Sequence, residues 1–176
     1  MKDGRMNERF GKAQTFRQFL EETRESKHPW QEFYRRVRVP EELLERARGI
    51  RENWHFLVLC EEWCGDGANS LPYLARMLDA GPNLHLRVLS RDENSDLMDA
   101  HLTGESRSIP VVMILDKEFR EVGWWGPRPE PLQEIFLKEI KDLPNEDRYP
   151  RLRAWYARDQ GWTTLQEILD RIPLPV

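Results

Sequence analysis

The stretch Phe56-Leu57-Val58-Leu59-Cys60-Glu61-Glu62-Trp63-Cys64-Gly65-Asp66-Gly67 carries the chain from a buried strand into a helix by way of a cysteine. Its first five residues are continuously apolar, the pattern of a short strand covered on both faces. Beyond Cys64, Leu71, Leu74, Met77 and Leu78 recur at helical spacing and stop before Gly81-Pro82. A cysteine at a helix start meets unpaired backbone N–H groups and the positive end of the macrodipole, both of which favour thiolate over thiol. The thiolate is the nucleophile, so Cys64 is the candidate reactive residue. Gly65, directly after it, frees the turn.

Outward from this stretch, strand and helix patterns alternate. Leu84 to Leu89 reads as a second strand and Asp92 to Leu102 as a helix stopping at Gly104. Val111 to Leu115 is a third strand; a turn at Asp116-Lys117 leads into a fourth, Phe119 to Trp125, and a helix runs from about Glu130 to Lys141. The order β-α-β-α-β-β-α predicts an α/β fold with a central mixed sheet, parallel at first and then closed by an antiparallel hairpin. Residues 1–52 read as a helical extension. Phe16, Phe19 and Leu20 share one face, Trp30, Phe33, Tyr34 and Val37 another, and Pro40 opens a helix with Leu43, Leu44 and Ala47 inward. Residues 143–176 form a second extension, helical from Tyr149 to Ile172 with a break at Gly161, expected to pack on the same 53–142 domain.

The bulk numbers narrow the function. At 176 residues, with 39% hydrophobic and 33% charged side chains, the chain suits one well-buried domain with additions. Its net charge of −4 gives no general attraction to phosphate backbones, so no nucleic-acid partner is expected. No apolar run approaches the ~18–20 residues that span a bilayer, and Met1-Lys2-Asp3-Gly4-Arg5 is polar. Cys60 and Cys64 are the only cysteines, which argues against a secreted disulfide framework and for a reducing cytoplasm. His28, His55, His85 and His101 are scattered, so neither a metal site nor a cofactor is assigned.

Trp63-Cys64-Gly65 resembles the thioredoxin motif Trp-Cys-Gly-Pro-Cys. Pro72 matches the proline that kinks the following helix, and Ser108-Ile109-Pro110 before a buried strand matches the family's cis-proline loop. The resemblance covers residues 53–142 and implies a thioredoxin-like fold with Ile109 and Pro110 beside Cys64. Arg91-Asp92-Glu93-Asn94, Arg107-Ser108-Ile109-Pro110, Trp125-Gly126-Pro127-Arg128-Pro129 and residues 155–161 are similar to a bacterial branch of thioredoxin-like proteins. Two positions depart from the family. Gly67 stands where the resolving cysteine would be, with Asp66 replacing the intervening proline, and Val58 stands where thioredoxins place a buried acid.

These departures leave the role of each residue open. Glu61, Glu62 and Asp66 disfavour a thiolate at Cys64, while Arg107 could offset them; Asp66 could also cap the first helical turn. Cys60 reads as a core residue or as a possible second thiol. A bridge to Cys64 needs Cα atoms within ~7 Å, reached only if the chain folds back at Glu61-Glu62. Arg107 and Arg128 are candidate contacts for an anion or substrate, or surface ion pairs. Trp63, Trp124 and Trp125 form an exposed rim or pack beneath the extensions.

Three activities follow. In the first, Cys64 performs monothiol exchange on a protein disulfide or a low-molecular-weight thiol, the mixed disulfide being released by a thiol from solution. In the second, the chain is a redox-inactive binding module. In the third, which takes its cue from single-cysteine glutaredoxins, an iron–sulfur cluster is shared between subunits; Asp66 beside an anionic cluster opposes it.

Overall fold

The computed structural model describes residues 2–175. Four helices come first: α1 (Lys2–Lys12), α2 (Phe16–Glu22), α3 (Trp30–Arg36) and α4 (Glu41–Arg48). Thr15 closes the start of α2 with a capping box, its hydroxyl accepting the Gln18 N–H while the Gln18 side chain accepts the Thr15 N–H. Then follow β1 (Trp54–Leu59), α5 (Gly65–Ala80), β2 (Leu84–Leu89), α6 (Ser95–Asp99), β3 (Val111–Leu115), β4 (Glu121–Trp125) and α7 (Glu130–Ile135). A π turn, Phe136–Ile140, prolongs α7, and α8 (Asn145–Asp159) and α9 (Trp162–Asp170) end the chain.

The strands lie in the order β2-β1-β3-β4. β1 pairs in parallel with β2, a crossover that α5 supplies, and antiparallel with β3, which forms a hairpin with β4. This is the mixed sheet flanked by helices that the sequence pattern predicts. All five residues of β3 are fully buried, as are Phe56 to Leu59 of β1. Burying one such side chain stabilises the fold by about 1.5–3 kcal/mol. The β2 edge is partly protected. Between α1 and α2, Gln14 exchanges both backbone hydrogen bonds with Val88, at 3.0 and 2.8 Å, so the edge is not left free to pair with another chain.

The terminal helices share the central core. Phe10, Phe16, Phe19, Trp30 and Leu43 from one end, and Leu165, Ile168 and Leu169 from the other, belong to the same apolar cluster as the sheet. Leu132, Ile140, Leu152 and Tyr156 form a smaller cluster between α7 and α8. The break between α8 and α9 falls at Gln160 and Gly161, both at positive φ. A Cβ on Gly161 would stand 2.5 Å from the Tyr73 ring, so glycine is required twice over.

β1 runs Trp54–Leu59 where the apolar run is Phe56–Cys60, α8 begins at Asn145 and not at Tyr149, and three further elements differ from the periodicity reading. The helix expected over Asp92–Leu102 shortens to Ser95–Asp99, because the Asp92 N–H and Ser90 hydroxyl both bond the Glu61 carboxylate and the Asn94 amide bonds the Ser90 carbonyl, which shapes 90–94 as a turn. The strand expected from Phe119 begins at Glu121. Asp116 accepts the Glu118 and Arg120 N–H groups at 2.9 Å and Phe119 adopts a φ of 63°, which extends the turn. The helix expected over 130–141 is regular only to Ile135, where the bonding shifts and the Lys141 N–H reaches the Phe136 carbonyl at 2.8 Å.

Candidate functional site

Cys64 is itself the N-cap of α5. Its backbone is extended, and its Sγ accepts the Gly67 N–H at 3.2 Å, satisfying one of the first amides of the helix. Across the gap its thiol reaches the Ile109 carbonyl at 3.4 Å. The Ile109–Pro110 peptide is cis, as is Gly126–Pro127 behind it. Gly126, at φ 134°, lies against the Pro110 carbonyl so closely that any Cβ would collide with it. Cys64 is 5% exposed, whereas Trp63 beside it is 45% exposed.

The turn that delivers Cys64 is held by residues of α3 and of the segment before it. The Glu62 carbonyl accepts from the Ser26 hydroxyl at 2.9 Å and from Trp30 Nε1 at 2.8 Å. His28 Nε2 lies 3.1 Å from the Trp63 carbonyl, and burial holds its pKa below the ordinary imidazole value. Glu61 accepts from Ser90 and Asp92, as described above. Two carbonyls and one carboxylate of the turn thus have fixed partners, and the loop is rigid where it presents the sulfur.

Asp66 does not cap the helix. Its carboxylate forms an ion pair with Arg128 at 2.9 Å and accepts the Tyr156 hydroxyl at 2.7 Å, both carboxylate and guanidinium being largely buried. Burial first, and then the Asp66 charge, push the Tyr156 phenol well above its ordinary pKa. Arg128 also donates to Gln133 and stacks over Phe136, 3.8 Å from the ring centroid. The Arg107 fork is bidentate on Asp99 at 2.8 and 3.0 Å, both side chains exposed. Arg91 lies over the Trp63 ring, 4.9 Å from its centroid, and donates to the Arg107 carbonyl, tying the Trp63 lip to the proline loop.

Cys60 is buried and is a free thiol, as is Cys64. Its thiol donates to the Glu61 carbonyl at 3.5 Å. Burial first, and then the neighbouring Cys64 sulfur, push the Cys60 pKa well above the usual thiol value. The chain does fold back between the two cysteines, the Cys64 N–H bonding the Glu61 carbonyl at 3.1 Å.

A family model described as Thioredoxin matches residues 13–144. The chain belongs to the thioredoxin family. A solved protein of unknown function from Pseudomonas aeruginosa is similar over 93% of both chains, with 24% identity and a TM-score of 0.71. The crystal structure of an HIV epitope scaffold of the 4E10 series is similar over 94% of this chain and 96% of its own, again with 24% identity and a TM-score of 0.71. Both likenesses speak for the fold. No curated protein matches.

Within this thioredoxin-like frame, Trp63, Cys64, Gly65, Ile109 and Pro110 come together at the start of α5. Arg128 joins them only through Asp66, and Arg107 is engaged with Asp99. Trp125 is buried with its Nε1 on Glu167 of α9 at 2.8 Å, and Trp124 packs edge-on against His101, so of the three tryptophans Trp63 alone forms an exposed lip. Ser26, His28, Trp30, Arg91 and Tyr156 belong to the site's support, a role that no spacing reveals because each acts from another part of the chain; spacing marks Trp30 only as a packing residue. Among the described residues no cluster of three or more metal-ligating side chains occurs, and no helix is long and apolar enough to cross a membrane. A cavity of about 300 Å³, lined by residues such as Phe16, Tyr34, Leu78 and Leu86, lies towards the far end of α5 from Cys64.

Proposed function

We propose that this thioredoxin-family protein exchanges thiols and disulfides through Cys64. The observation that carries the reading is the placement of the Cys64 sulfur, on the Gly67 amide at the helix start and 3.4 Å from the Ile109 carbonyl of the proline loop. The pairing of Asp66 with Arg128 supports it, because this carboxylate, two residues beyond Cys64, is neutralised by a partner of its own. In the reaction, ionised Cys64 attacks one sulfur of a substrate disulfide. A Cys64–substrate bond forms, the substrate S–S bond breaks, and one substrate thiolate leaves. The mixed disulfide is then released by a second thiol; in the monothiol form that thiol comes from solution. Protein disulfides and disulfides of low-molecular-weight thiols are the substrate classes, with Trp63 and Arg91 forming the exposed lip they meet. A reducing cytoplasm suits a protein that works from free thiols.

The test is reduction of a peptide disulfide and of a glutathionylated peptide, with excess dithiol reductant in both. The wild type accelerates at least one, and Cys64→Ser does not. Full activity in Cys64→Ser removes the reading. The 5% exposure of Cys64 favours a second reading, a redox-inactive binding module that engages partners through Trp63. A wild type without activity in both assays, together with a stable complex lost in Trp63→Ala, supports that alternative.

A further inference from the structure

We infer that Cys60 is the resolving thiol for Cys64, its sulfur entering from the preceding strand into the space that Gly67 leaves open. A Cβ built on Gly67 would stand 2.5 Å from Cys60 Sγ and 3.4 Å from Cys64 Sγ. The two sulfurs therefore converge on one point, and the Trp30 ring, 3.2 Å from it, walls the space. The first turn of α5 thus carries no side chain at the position facing both thiols, and a thiol from four residues upstream occupies its place.

The backbone permits the approach. The Glu61–Cys64 turn brings the strand end back on the helix start, and the Cys60 N–H is anchored to the Leu89 carbonyl at 3.1 Å. The Cys60 thiol is bonded to the adjacent Glu61 carbonyl at 3.5 Å, a weak thiol bond that it gives up at little cost when its sulfur turns towards Cys64. Burial keeps Cys60 protonated and out of contact with substrate. That arrangement divides the labour: Cys64 meets the disulfide and Cys60 waits behind it.

The inference rests on the thiol-exchange reading of Cys64 and specifies its second step. Once Cys64 carries half of the substrate, Cys60 Sγ attacks Cys64 Sγ. The Cys60–Cys64 bond forms, the mixed disulfide breaks, and the Cys60 proton leaves with the departing substrate thiolate. The substrate disulfide gains two electrons and the cysteine pair loses two. An external dithiol, a protein dithiol or dithiothreitol, returns them and regenerates both thiols. Internal attack outpaces release by a thiol from solution because the second sulfur is already in place.

The experiment treats the reduced wild-type chain with one equivalent of the aryl disulfide dithiobis(nitrobenzoate), counts the aryl thiolate released, and weighs the intact chain. The expected result is two aryl thiolates per reacted chain, no adduct, the loss of two hydrogens, and a peptide cross-linked between Cys60 and Cys64. In Cys60→Ala the aryl adduct stays on Cys64, and its release by millimolar thiol is about a hundredfold slower than wild-type resolution. Cys60→Ala/Gly67→Cys moves the second thiol onto the helix and restores rapid release, which a merely structural role for Cys60 would not explain. One aryl thiolate released from the wild type with a lasting adduct on Cys64 overturns this inference and leaves the thiol-exchange reading standing. A wild type in which Cys64 takes no adduct at all overturns both.

Discussion

Arg128→Met removes the cation from a buried carboxylate, and its cost follows from the geometry. Asp66 and Arg128 have side-chain exposures of 11% and 12%, and after substitution Asp66 keeps only the Tyr156 hydroxyl at 2.7 Å. Removing one partner of a buried pair costs about 3–5 kcal/mol. Methionine can still pack on Phe136, where the guanidinium lay, and this with the surviving hydrogen bond brings the expected loss to the low end, about 3 kcal/mol. For a chain of this size that corresponds to a fall of about 6–12 °C in Tm. Urea unfolding followed by tryptophan fluorescence measures the loss. Asp66→Asn/Arg128→Met, with no charge left to strand, should recover more than half of the loss. A single-variant deficit below about 0.5 kcal/mol would refute the account of Asp66 as a buried, neutralised acid.

Two further perturbations probe the core and a pH response. Gly67→Ala places a Cβ 2.5 Å from Cys60 Sγ and 3.2 Å from the Trp30 ring, so urea midpoints should report a loss of about 1–3 kcal/mol, with Cys60→Ala in the same chain restoring part of it. His101 is buried with Nε2 on Glu121 and Nδ1 on the Leu97 carbonyl, both at 2.6 Å; burial opposes its charge, but these bonds outweigh it and its pKa is raised. The stability this pair contributes is therefore full below the unfolded imidazole value of ~6.5 and is lost as pH rises through the folded one. Thermal unfolding of His101→Gln against wild type across that window should show the difference narrowing towards alkaline pH. A constant difference would mean that the ring is neutral throughout.

The layout of the sheet was legible because its strands are short, apolar and interrupted by clear breakers. Leu84–Leu89 and Val111–Leu115 fall on their sequence-read limits, and Gly161 marks the α8–α9 break as its spacing suggests. Two of the misjudged boundaries lie where side chains bond the local backbone, with Asp116 extending one turn and Glu61 shaping another from about thirty residues away. Periodicity does not register such bonds. Cys64 could be singled out from its position between strand and helix. Its supports could not: Ser26, His28 and Trp30 act on the Trp63 turn from α3 and the segment before it, and Tyr156 reaches Asp66 from α8. Asp66 illustrates the difference well, since two residues beyond Cys64 in sequence it reads as a cap or as a charge opposing the thiolate. Only the fold supplies the arginine that neutralises it.

The most direct measurement is covalent trapping of the first step. Cys60→Ala, with Cys64 as the only thiol, is mixed with a peptide disulfide and quenched with acid, and the intact chain is weighed and mapped. The account predicts a mixed disulfide on Cys64 that forms faster on the folded chain than on the urea-unfolded one, because the helix start and the proline loop present the sulfur. A folded chain that gains no adduct while its unfolded form reacts would contradict it, and would leave Cys64 as a buried packing residue.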